Sequence, residues 1–440
     1  MNFKFAPAAQ YAIDLIENPD KNIFITGKAG TGKSTLLEHM RMRADKKMIV
    51  LAPTGVAAIN VRGETIHSFF KLKPGAEIDE ATNMRIIDKK KALYKSLKTI
   101  LIDEISMVRA DLLDAIDIFL RRARDSEEPF GGVQMIFFGD LFQLPPVITN
   151  TDKAKFYRAY DSPYFFSAQV FQKRNLLSEP FRMETVELDE IYRQSDEKFI
   201  RILNAVRDNS ATPQDLALLN ERVDPDFVPP DDESFIYLMT TNANATAINM
   251  AKLAKIKSDP IVFSAKETGK IKKNMHPNDT MITVKIGAQV MFINNDAHRR
   301  WVNGTLGVVE RFFDHYNEEK EANEAVLLVR THEGKLVEVT THTWEISKYK
   351  FEDGAFVREQ IGSFSQMPLK LAWAITIHKS QGKSFDKVVI DLGWGSFAHG
   401  QTYVALSRCT SLQGLVLKKP LNPSDIIVDE CVRKAGQGDW

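Results

Sequence analysis

The sequence predicts an α/β protein with two parallel-sheet units and a small β-rich insertion in the second. Short apolar runs that end in polar clusters alternate with helix-like stretches, which is typical of buried parallel strands. Between residues 280 and 365 the pattern changes to alternating segments split by Asn-Gly and Glu-Gly turns, which indicates antiparallel hairpins. We therefore expect a first unit over 1–180, a second over 181–279 and 366–440, and a β-barrel-like insertion over 280–365.

Four apolar runs define the strands that we expect in the first unit, at 23–26, 48–52, 99–102 and 135–138. The polar clusters that follow them read GKAGTGKS, APTG, DEIS and GDLFQ. In open α/β sheets, ligands bind beyond the carboxyl ends of the parallel strands. The four clusters should therefore converge on one cleft.

The second unit repeats this organisation. Apolar runs at 235–239, 388–390 and 415–417 precede polar or glycine-containing segments, and helices are predicted over 245–256 and 401–407. This alternation again favours a parallel sheet with covering helices.

Composition excludes several classes of protein. Of 440 residues, 44% are hydrophobic and 26% charged, as in ordinary globular proteins, and the formal net charge is zero. A nucleic-acid site must then be local, because the overall basic charge of many nucleic-acid binders is missing. Cys409 and Cys431 are too few for a disulfide framework or a Cys-rich zinc site. With no targeting signal and no run of ~18 apolar residues, we expect a cytoplasmic or nucleoid-associated protein without membrane contact.

Residues 27–34 read GKAGTGKS, a complete phosphate-binding loop between a predicted strand and a predicted helix. Its glycines permit close approach of backbone N–H groups to a polyphosphate at the positive end of the helix. Lys33 would reach the β- and γ-phosphates, and Ser34 would hold Mg²⁺. The loop predicts ATP and Mg²⁺ as cofactors.

Two further strand ends carry side chains suited to nucleotide hydrolysis. Asp103 would hold Mg²⁺ through water, and Glu104 would orient or deprotonate the attacking water. Gln143, in GDLFQLPP, could bond the γ-phosphate or that water. Taken alone, the acidic pair could begin a solvated turn and GDLFQLPP could be only a turn, but the neighbouring phosphate-binding loop favours the catalytic interpretation.

Arg193 and Arg408 lie outside the first unit. An arginine supplied across a cleft can stabilise the charge that develops in phosphoryl transfer. The alternative for any single arginine is an exposed surface role.

Taken together, the motifs resemble those of superfamily one DNA helicases, and most closely the petite-integration-frequency (PIF) family. The segment from Asp111 to Arg124 resembles that family's own signature. The matching segments, in order, are GKAGTGKST, LAPTGVAAINVRGETIHSFF, LIDEISMV, FFGDLFQLPPV, LDEIYRQSD, LAWAITIHKSQGKSFDKVVIDLG and YVALSRC.

The resemblance implies two RecA-like domains with ATP between them, a small SH3-like β-barrel in the second, and movement 5′ to 3′ on single-stranded DNA. It also implies that Gln10 reads the adenine edge, although Ala9 stands where the family usually has Glu. The residues that it places around the nucleotide are Gln10, Gly27, Ala29, Gly30, Thr31, Gly32, Lys33, Ser34, Thr35, Asp103, Glu104, Gln143, Arg193, Gln381, Gly382 and Arg408.

DNA contacts are expected at loop tips, where hydroxyl, amide and main-chain groups suit a phosphate backbone gripped without sequence reading. His67 and His378 could instead be core or capping residues. The expected contacts are Pro53, Thr54, Gly55, His67, Ser68, Phe69, Thr240, Thr241, Asn242, Thr376, His378 and Lys379.

Residues 61–82 are predicted as a small hairpin that guides or splits the DNA. Phe69 and Phe70 could stack on a base at its tip, or could equally be a buried anchor. The lysine-rich stretches 89–91 and 270–273 are interpreted as solvated faces that could also touch DNA.

The hypothesis from the sequence is an ATP-dependent DNA helicase, monomeric when free, that acts on single-stranded DNA and on forked or tailed duplex DNA. The alternatives are a nuclease-associated motor, an RNA translocase, and a nucleotide-gated binding module that grips nucleic acid without unwinding it. No cluster of acids suited to a nuclease lies outside the ATP motifs, and a preference for RNA cannot be read from the sequence.

Overall fold

The chain forms two compact units in the computed structural model, which describes residues 5–43, 47–75, 77–172, 180–194, 196–230, 233–317, 322–393 and 395–435. The first unit comprises Met1–Tyr192, Ile346–Ile361 and Asp429–Trp440, and the second comprises Arg193–Glu345 and Gly362–Val428.

A six-stranded parallel sheet forms the centre of the first unit, in the strand order β3-β2-β4-β5-β1-β6. Its strands are β1 (Ile23–Gly27), β2 (Met48–Ala52), β3 (Glu64–Thr65), β4 (Thr99–Ile102), β5 (Gln134–Phe138) and β6 (Glu184–Leu188). All five residues of β5 are buried, as its continuous apolar run predicts. The parallel sheet expected for this unit is therefore confirmed.

Helices cover the first unit's sheet and connect its strands. They are α1 (Pro7–Ile16), α2 (Lys33–Arg43), α3 (Gly55–Asn60), α4 (Ile66–Phe70), α5 (Glu77–Asn83), α6 (Asp88–Ser96), α7 (Ala110–Arg124), α8 (Asn150–Phe156) and the C-terminal helix Glu430–Ala435. Short 3-10 helices lie at Ile105–Met107, Pro129–Gly132, Phe165–Ser167 and Gln169–Phe171.

The first unit is larger than the sequence predicted. β6 pairs in parallel with β1, so the unit continues to Tyr192 instead of ending at residue 180. β6 is an edge strand in which exposed and buried positions mix, and it therefore lacks the continuous apolar run that marks the other strands. Residues 346–361 also belong here, where the Tyr349 N–H donates to Glu64 Oε2 at 2.9 Å.

In the described parts of the predicted hairpin, residues 61–75 and 77–82, the structure has β3, α4 and most of α5 and shows no hairpin, contrary to expectation. Phe69 is 4% exposed and Phe70 is 0% exposed. Their rings pack edge-to-face against Tyr94 and Phe119, respectively, and the Tyr94 hydroxyl donates to the Phe69 carbonyl at 2.9 Å. Of the two alternatives, the buried anchor is correct for this structure, and Phe69 presents no ring for stacking on a base.

Helix α7, which carries the signature segment, uses buried acids to hold backbone around it. The Asp114 carboxylate is 2% exposed and accepts from the N–H groups of Gln169 at 2.9 Å and Val170 at 3.0 Å. Asp117, which is fully buried, accepts from the Phe130 N–H at 2.6 Å. These acids satisfy buried donors that no strand or helix pairs.

Replacing Asp114 with alanine should lower the free energy of unfolding of the first unit by about 2–4 kcal/mol, because the buried Val170 N–H and the partly buried Gln169 N–H lose their acceptor. Urea unfolding followed by circular dichroism measures this loss. The control is Asp161→Ala, which removes an exposed carboxylate from the same region. Equal midpoints for the two variants would contradict the role assigned to Asp114.

The second unit contains a four-stranded parallel sheet in the order β18-β7-β19-β20. The strands are β7 (Ile236–Met239), β18 (Ala374–Thr376), β19 (Val388–Asp391) and β20 (Leu415–Leu417). The helices are α9 (Glu197–Arg207), α10 (Pro213–Asn220), α11 (Asn242–Lys255) and α12 (Gln401–Leu406), with 3-10 helices at Lys273–Met275, His378–Ser380 and Pro423–Asp425. The second α/β unit is thus confirmed.

Antiparallel strands separate β7 from β18 along the chain. They form a five-stranded sheet, β14-β13-β12-β11-β17, and two smaller sheets, β10-β8 and β15-β16-β9. The strands are β8 (Ile261–Ser264), β9 (Lys266–Gly269), β10 (Met281–Val284), β11 (Gln289–Phe292), β12 (Leu306–Asn317), β13 (Ala322–Thr331), β14 (Leu336–Val339), β15 (His342–Glu352), β16 (Ala355–Gln366) and β17 (Leu369–Leu371).

The β-rich character of this segment is as predicted, but a barrel is not confirmed. The strands begin at Ile261 instead of residue 280, and residues 346–361 belong to the first unit. Alternating segments separated by turns identify hairpins in the sequence. They do not specify whether the strands close into one barrel or form separate sheets, or which unit a long hairpin packs against.

None of the helices in the described part of the chain is long and apolar enough to cross a bilayer.

Candidate functional site

The phosphate-binding loop joins β1 to α2, and close packing requires glycine at its start. A Cβ on Gly27 would lie 2.6 Å from the Leu188 carbonyl oxygen and 2.8 Å from Thr31 Oγ1. Gly32 has a φ of +82°, in the region that favours glycine. The glycines that predicted the loop are thus required by its backbone path.

Lys33 is the first residue of α2, and its ammonium lies inside the loop. Nζ donates to the carbonyl oxygens of Gly27 at 2.6 Å and Lys28 at 2.9 Å. Ser34 and Thr35 follow on the exposed first turn of the helix. Backbone N–H groups at the start of a helix, together with the helix dipole, favour an anion at this position.

The acidic pair follows β4. The Asp103 N–H donates to the Leu51 carbonyl at 2.9 Å, and Glu104 adopts a left-handed conformation with φ of 51°. Burial, together with the adjacent Glu104 carboxylate, raises the pKa of Asp103 to about 7, whereas the Lys33 ammonium lowers it. The structure therefore brings Lys33, Asp103 and Glu104 into one electrostatic environment, as the sequence predicted.

The same environment fits a divalent cation. Burial and the Glu104 charge both disfavour the ionised form of Asp103. A bound cation would favour that ionised form. Within the described residues there is no group of three or more His, Cys, Asp or Glu side chains that could hold a metal. Mg²⁺ is usually held by one or two protein groups plus phosphate and water, so the two predicted ligands, Ser34 and Asp103, would be sufficient in number.

Gln143 is fixed by an acid that the sequence analysis missed. Its Nε2 donates to Asp140 Oδ2 at 3.0 Å, and the two residues are 8% and 1% exposed. Asp140 also accepts from the Phe142 N–H at 3.2 Å, so one carboxylate holds the whole turn after β5. In the sequence, the spacing of Asp140 and Gln143 in GDLFQ was the signal that could have indicated this hydrogen bond.

A pocket of about 270 Å³ lies beside the phosphate-binding loop. Tyr192, which the sequence analysis did not single out, lines it, and the Tyr192 N–H donates to the Gly30 carbonyl at 2.9 Å. Gln10 is exposed, its Nε2 donates to Asp14 Oδ1 at 2.9 Å, and it is not among the lining residues of this pocket, so its contact with adenine stays a prediction. The lining residues are Phe5, Ala6, Ala8, Ala9, Thr31, Gly32, Thr35, Leu36, Leu188, Asp189, Glu190 and Tyr192.

The second unit brings together Arg193, Gln381 and Gly382. Arg193 Nη2 donates to the Gly382 carbonyl at 3.5 Å, and burial lowers the pKa of Arg193. In the described part of this unit, Arg193 Nη1 and Gln381 Nε2 are buried without a hydrogen-bond acceptor. Such donors are costly to leave unpaired and would suit phosphate oxygens.

Arg408 is buried, with 1% of its surface exposed, and does not have the exposed surface position that was the alternative. Its guanidinium donates to the Val404 carbonyl at 2.9 Å, to Ser407 Oγ at 2.8 Å and to the Lys383 carbonyl at 3.3 Å. These hydrogen bonds hold Arg408 within its own unit, and its role in phosphoryl transfer stays a prediction.

Expected DNA contacts of the first unit follow β2 and β3. Thr54, in the Pro53-Thr54-Gly55 segment, caps α3 by accepting from the Ala57 N–H at 3.2 Å. His67 Nε2 lies 3.2 Å from Glu77 Oε1, and Ser68 Oγ donates to Glu64 Oε1 at 2.6 Å. His67 and Ser68 therefore already have acidic partners.

Expected contacts of the second unit follow β7 and β18. Thr241, between Thr240 and Asn242, caps α11 by accepting from the Asn244 N–H at 3.3 Å. Thr376 accepts from the Lys379 N–H at 3.3 Å, while burial lowers the pKa of His378. Exposed Thr241, Asn242 and Lys379 remain accessible to a ligand.

Comparison with known proteins gives a consistent result. Residues 9–215 match the family model for PIF1-like helicases. The ATP-dependent DNA helicase Pif1 of Bdellovibrio bacteriovorus is 35% identical over 97% of this chain and 90% of its own length. The ATP-dependent DNA helicase PIF1 of Danio rerio is also 35% identical over 90% of this chain. That match covers 58% of the length of the Danio rerio protein.

Solved structures of similar proteins match this structure over nearly the whole chain. Pif1 from Bacteroides sp in complex with ADP-AlF4 is 36% identical, with a TM-score of 0.88 over 99% of this chain and 97% of its own. Pif1 from Bacteroides in complex with ADP-AlF3 and single-stranded DNA has the same identity and coverage, with a TM-score of 0.68.

Proposed function

This chain belongs to the PIF1-like helicase family, and from that premise we propose that it is an ATP-dependent DNA helicase that moves 5′ to 3′ on single-stranded DNA and unwinds duplex DNA. The observation that carries the proposal is the meeting of Lys33, Asp103 and Glu104 beside a glycine loop shaped for a polyphosphate. Its relatives are named ATP-dependent DNA helicases, and one solved relative binds single-stranded DNA together with a nucleotide analogue.

Each group in the first unit has a distinct task in hydrolysis. Loop N–H groups and Lys33 bind the β- and γ-phosphates, and Glu104 orients the attacking water and accepts its proton. Gln143, held by Asp140, bonds the γ-phosphate or the water. Mg²⁺, which Ser34 and Asp103 would hold, neutralises phosphate charge when it is bound.

DNA is gripped by the loop tips after β2, β7 and β18. Their threonine, asparagine and main-chain groups carry no net charge and suit sequence-independent contacts with the backbone. Base stacking in duplex DNA is worth ~1.4 kcal/mol per step, so strand separation needs energy from ATP as well as from binding. Each hydrolysis cycle therefore has to change the grip on the strand.

The test is strand displacement with duplexes that carry a single-stranded tail at only one end. We expect ATP- and Mg²⁺-dependent displacement from 5′-tailed duplexes and none from 3′-tailed or blunt ones. Displacement confined to 3′ tails would reject the polarity, and ATP-modulated binding without displacement would favour the nucleotide-gated binding module. Light scattering of the free chain checks the predicted monomer.

A further inference from the structure

Phe397 is an exposed aromatic side chain of the second unit. It lies in the loop between β19 and α12, and 66% of its surface is exposed. Every other phenylalanine in the described part of the chain is buried or partly buried. Single exposed apolar side chains are common on proteins, so the significance of Phe397 depends on where its loop lies.

The loop that carries Phe397 begins at the carboxyl end of the second unit's parallel sheet. β19 pairs with β7, and Asp391, the last residue of β19, lies opposite Met239, the last residue of β7. A Cβ on Gly393 would lie 4.0 Å from Thr240 Oγ1, so the loops that follow these two strands adjoin each other. Thr240 is one of the expected DNA contacts, whereas the sequence analysis predicted no contact in the loop after β19.

Hydrogen bonds to buried groups fix the backbone at Phe397. The Phe397 N–H donates at 3.0 Å to Oε1 of Gln401, which is fully buried. The Ser396 N–H donates to Asp425 Oδ1 at 3.3 Å, and the Ser396 hydroxyl lies 2.6 Å from Thr402 Oγ1. The ring is therefore presented to solvent by an ordered backbone, which lowers the entropy cost of binding a ligand to it.

We propose that Phe397 stacks on a base of single-stranded DNA whose backbone is bound by the neighbouring loop after β7. The inference rests on the proposed function and adds a contact with a base, whereas the contacts predicted for Thr240, Thr241 and Asn242 are with the backbone. Every base has a π-face, so a phenylalanine ring can hold the strand without reading its sequence. Phe69, for which stacking was considered, is buried, whereas Phe397 has the exposure that stacking requires.

The position of the loop favours DNA over a protein partner. Ligands of open α/β sheets bind beyond the carboxyl ends of the parallel strands, and the Phe397 loop adjoins Thr240 at that edge. A ring that contacts only another protein would contribute nothing to the affinity for DNA. Binding measurements therefore distinguish the two kinds of partner.

The experiment compares Phe397→Ala and Phe397→Trp with the wild type and with the control Tyr316→Ala. Tyr316 is also an exposed aromatic residue of the second unit, at 57% exposure, but it lies in β12 of the antiparallel sheet. Affinity is measured by the fluorescence anisotropy of a labelled oligothymidylate. Phe397→Ala should bind it about 5- to 100-fold more weakly, the range for loss of one base–aromatic stack, whereas the other two variants should bind like the wild type.

An oligomer of the same length whose sugars carry no bases separates stacking from backbone contact. Phe397→Ala and the wild type should bind this abasic oligomer equally, because it offers no π-face to the ring. With oligothymidylate, the two proteins should show the same slope of log affinity against log salt, because a phenylalanine neutralises no phosphate and releases no counterion.

Thermal unfolding without DNA shows whether Phe397→Ala is folded. Since most of the Phe397 side chain is already exposed, the substitution should change Tm by no more than about 2 °C. A larger fall in Tm, with an equal loss of affinity for the two oligomers, would show that the ring supports the fold and would overturn the stacking site.

The outcomes distinguish the stacking site from the proposed function. If the wild type binds oligothymidylate and Phe397→Ala binds it equally well, the stacking site alone is overturned. Weaker self-association of that variant in light scattering would then assign Phe397 to a contact between copies of this chain. A wild type that binds no single-stranded DNA defeats the proposed function, and the stacking site with it.

Discussion

Replacement of Lys33 by alanine should lower ATP turnover by about 10²–10³-fold, because a preorganised charged donor to the transferred phosphoryl group is lost. Nζ already lies within hydrogen-bond distance of two loop carbonyls, at 2.6 Å from Gly27 and 2.9 Å from Lys28. Its position at the first residue of α2 adds the helix dipole to the same anion site. Few other single changes in the chain should affect hydrolysis as strongly.

Steady-state phosphate release with saturating single-stranded DNA measures this effect. The matched control is Lys28→Ala, which removes a lysine side chain from the same loop but keeps the Lys28 carbonyl that accepts from Lys33. Near-normal turnover is expected in the control. Wild-type turnover in Lys33→Ala, with an unchanged circular dichroism spectrum, would end the assignment of the phosphate-binding loop.

The nucleotide-binding half of the site could be predicted because its determinants are local. The loop glycines are required by contacts at Gly27 and by the positive φ of Gly32, and both requirements are visible as sequence spacing. Asp103 and Glu104 follow a continuous apolar strand whose end is easily located. Parallel strands then bring such ends to one edge of the sheet.

Contacts between distant segments could not be predicted in the same way. Nothing near Phe69 in the sequence indicates that Tyr94 and Phe119 enclose the two phenylalanines, so an exposed tip and a buried anchor were equally consistent with it. The acids of α7 are similar: only the fold shows that Asp114 binds backbone 55 residues away.

Burial of charge is the other property that the sequence conceals. Arg408 was predicted as a phosphate-facing arginine, yet carbonyls of its own unit surround it.

The second large effect concerns Glu104. Glu104→Gln should reduce kcat for ATP hydrolysis by about 10²–10⁴-fold, since a general base contributes rate accelerations of that size. The amide preserves the size of the side chain, and Lys33 with the loop N–H groups still binds the phosphates. Affinity for ATP should therefore change little, so that the loss appears in kcat and not in KM.

Removing the Glu104 charge should also change the pKa of the neighbouring Asp103. The Glu104 carboxylate contributes to the raised pKa of Asp103, which is about 7 in the wild type, so Glu104→Gln should lower it. Asp103 would then stay ionised to lower pH. Nucleotide binding that depends on this carboxylate should accordingly persist at pH 6 better in the variant than in the wild type.

Equilibrium binding of a fluorescent ATP analogue and single-turnover hydrolysis separate these two effects. The control is Glu187→Gln, an identical substitution at an exposed position of β6 in the same unit. Because strand separation depends on hydrolysis, Glu104→Gln should bind tailed DNA in the presence of ATP yet displace no strand. Retained strand displacement by this variant would show that Glu104 is not the base, and it would remove the coupling on which the helicase proposal depends.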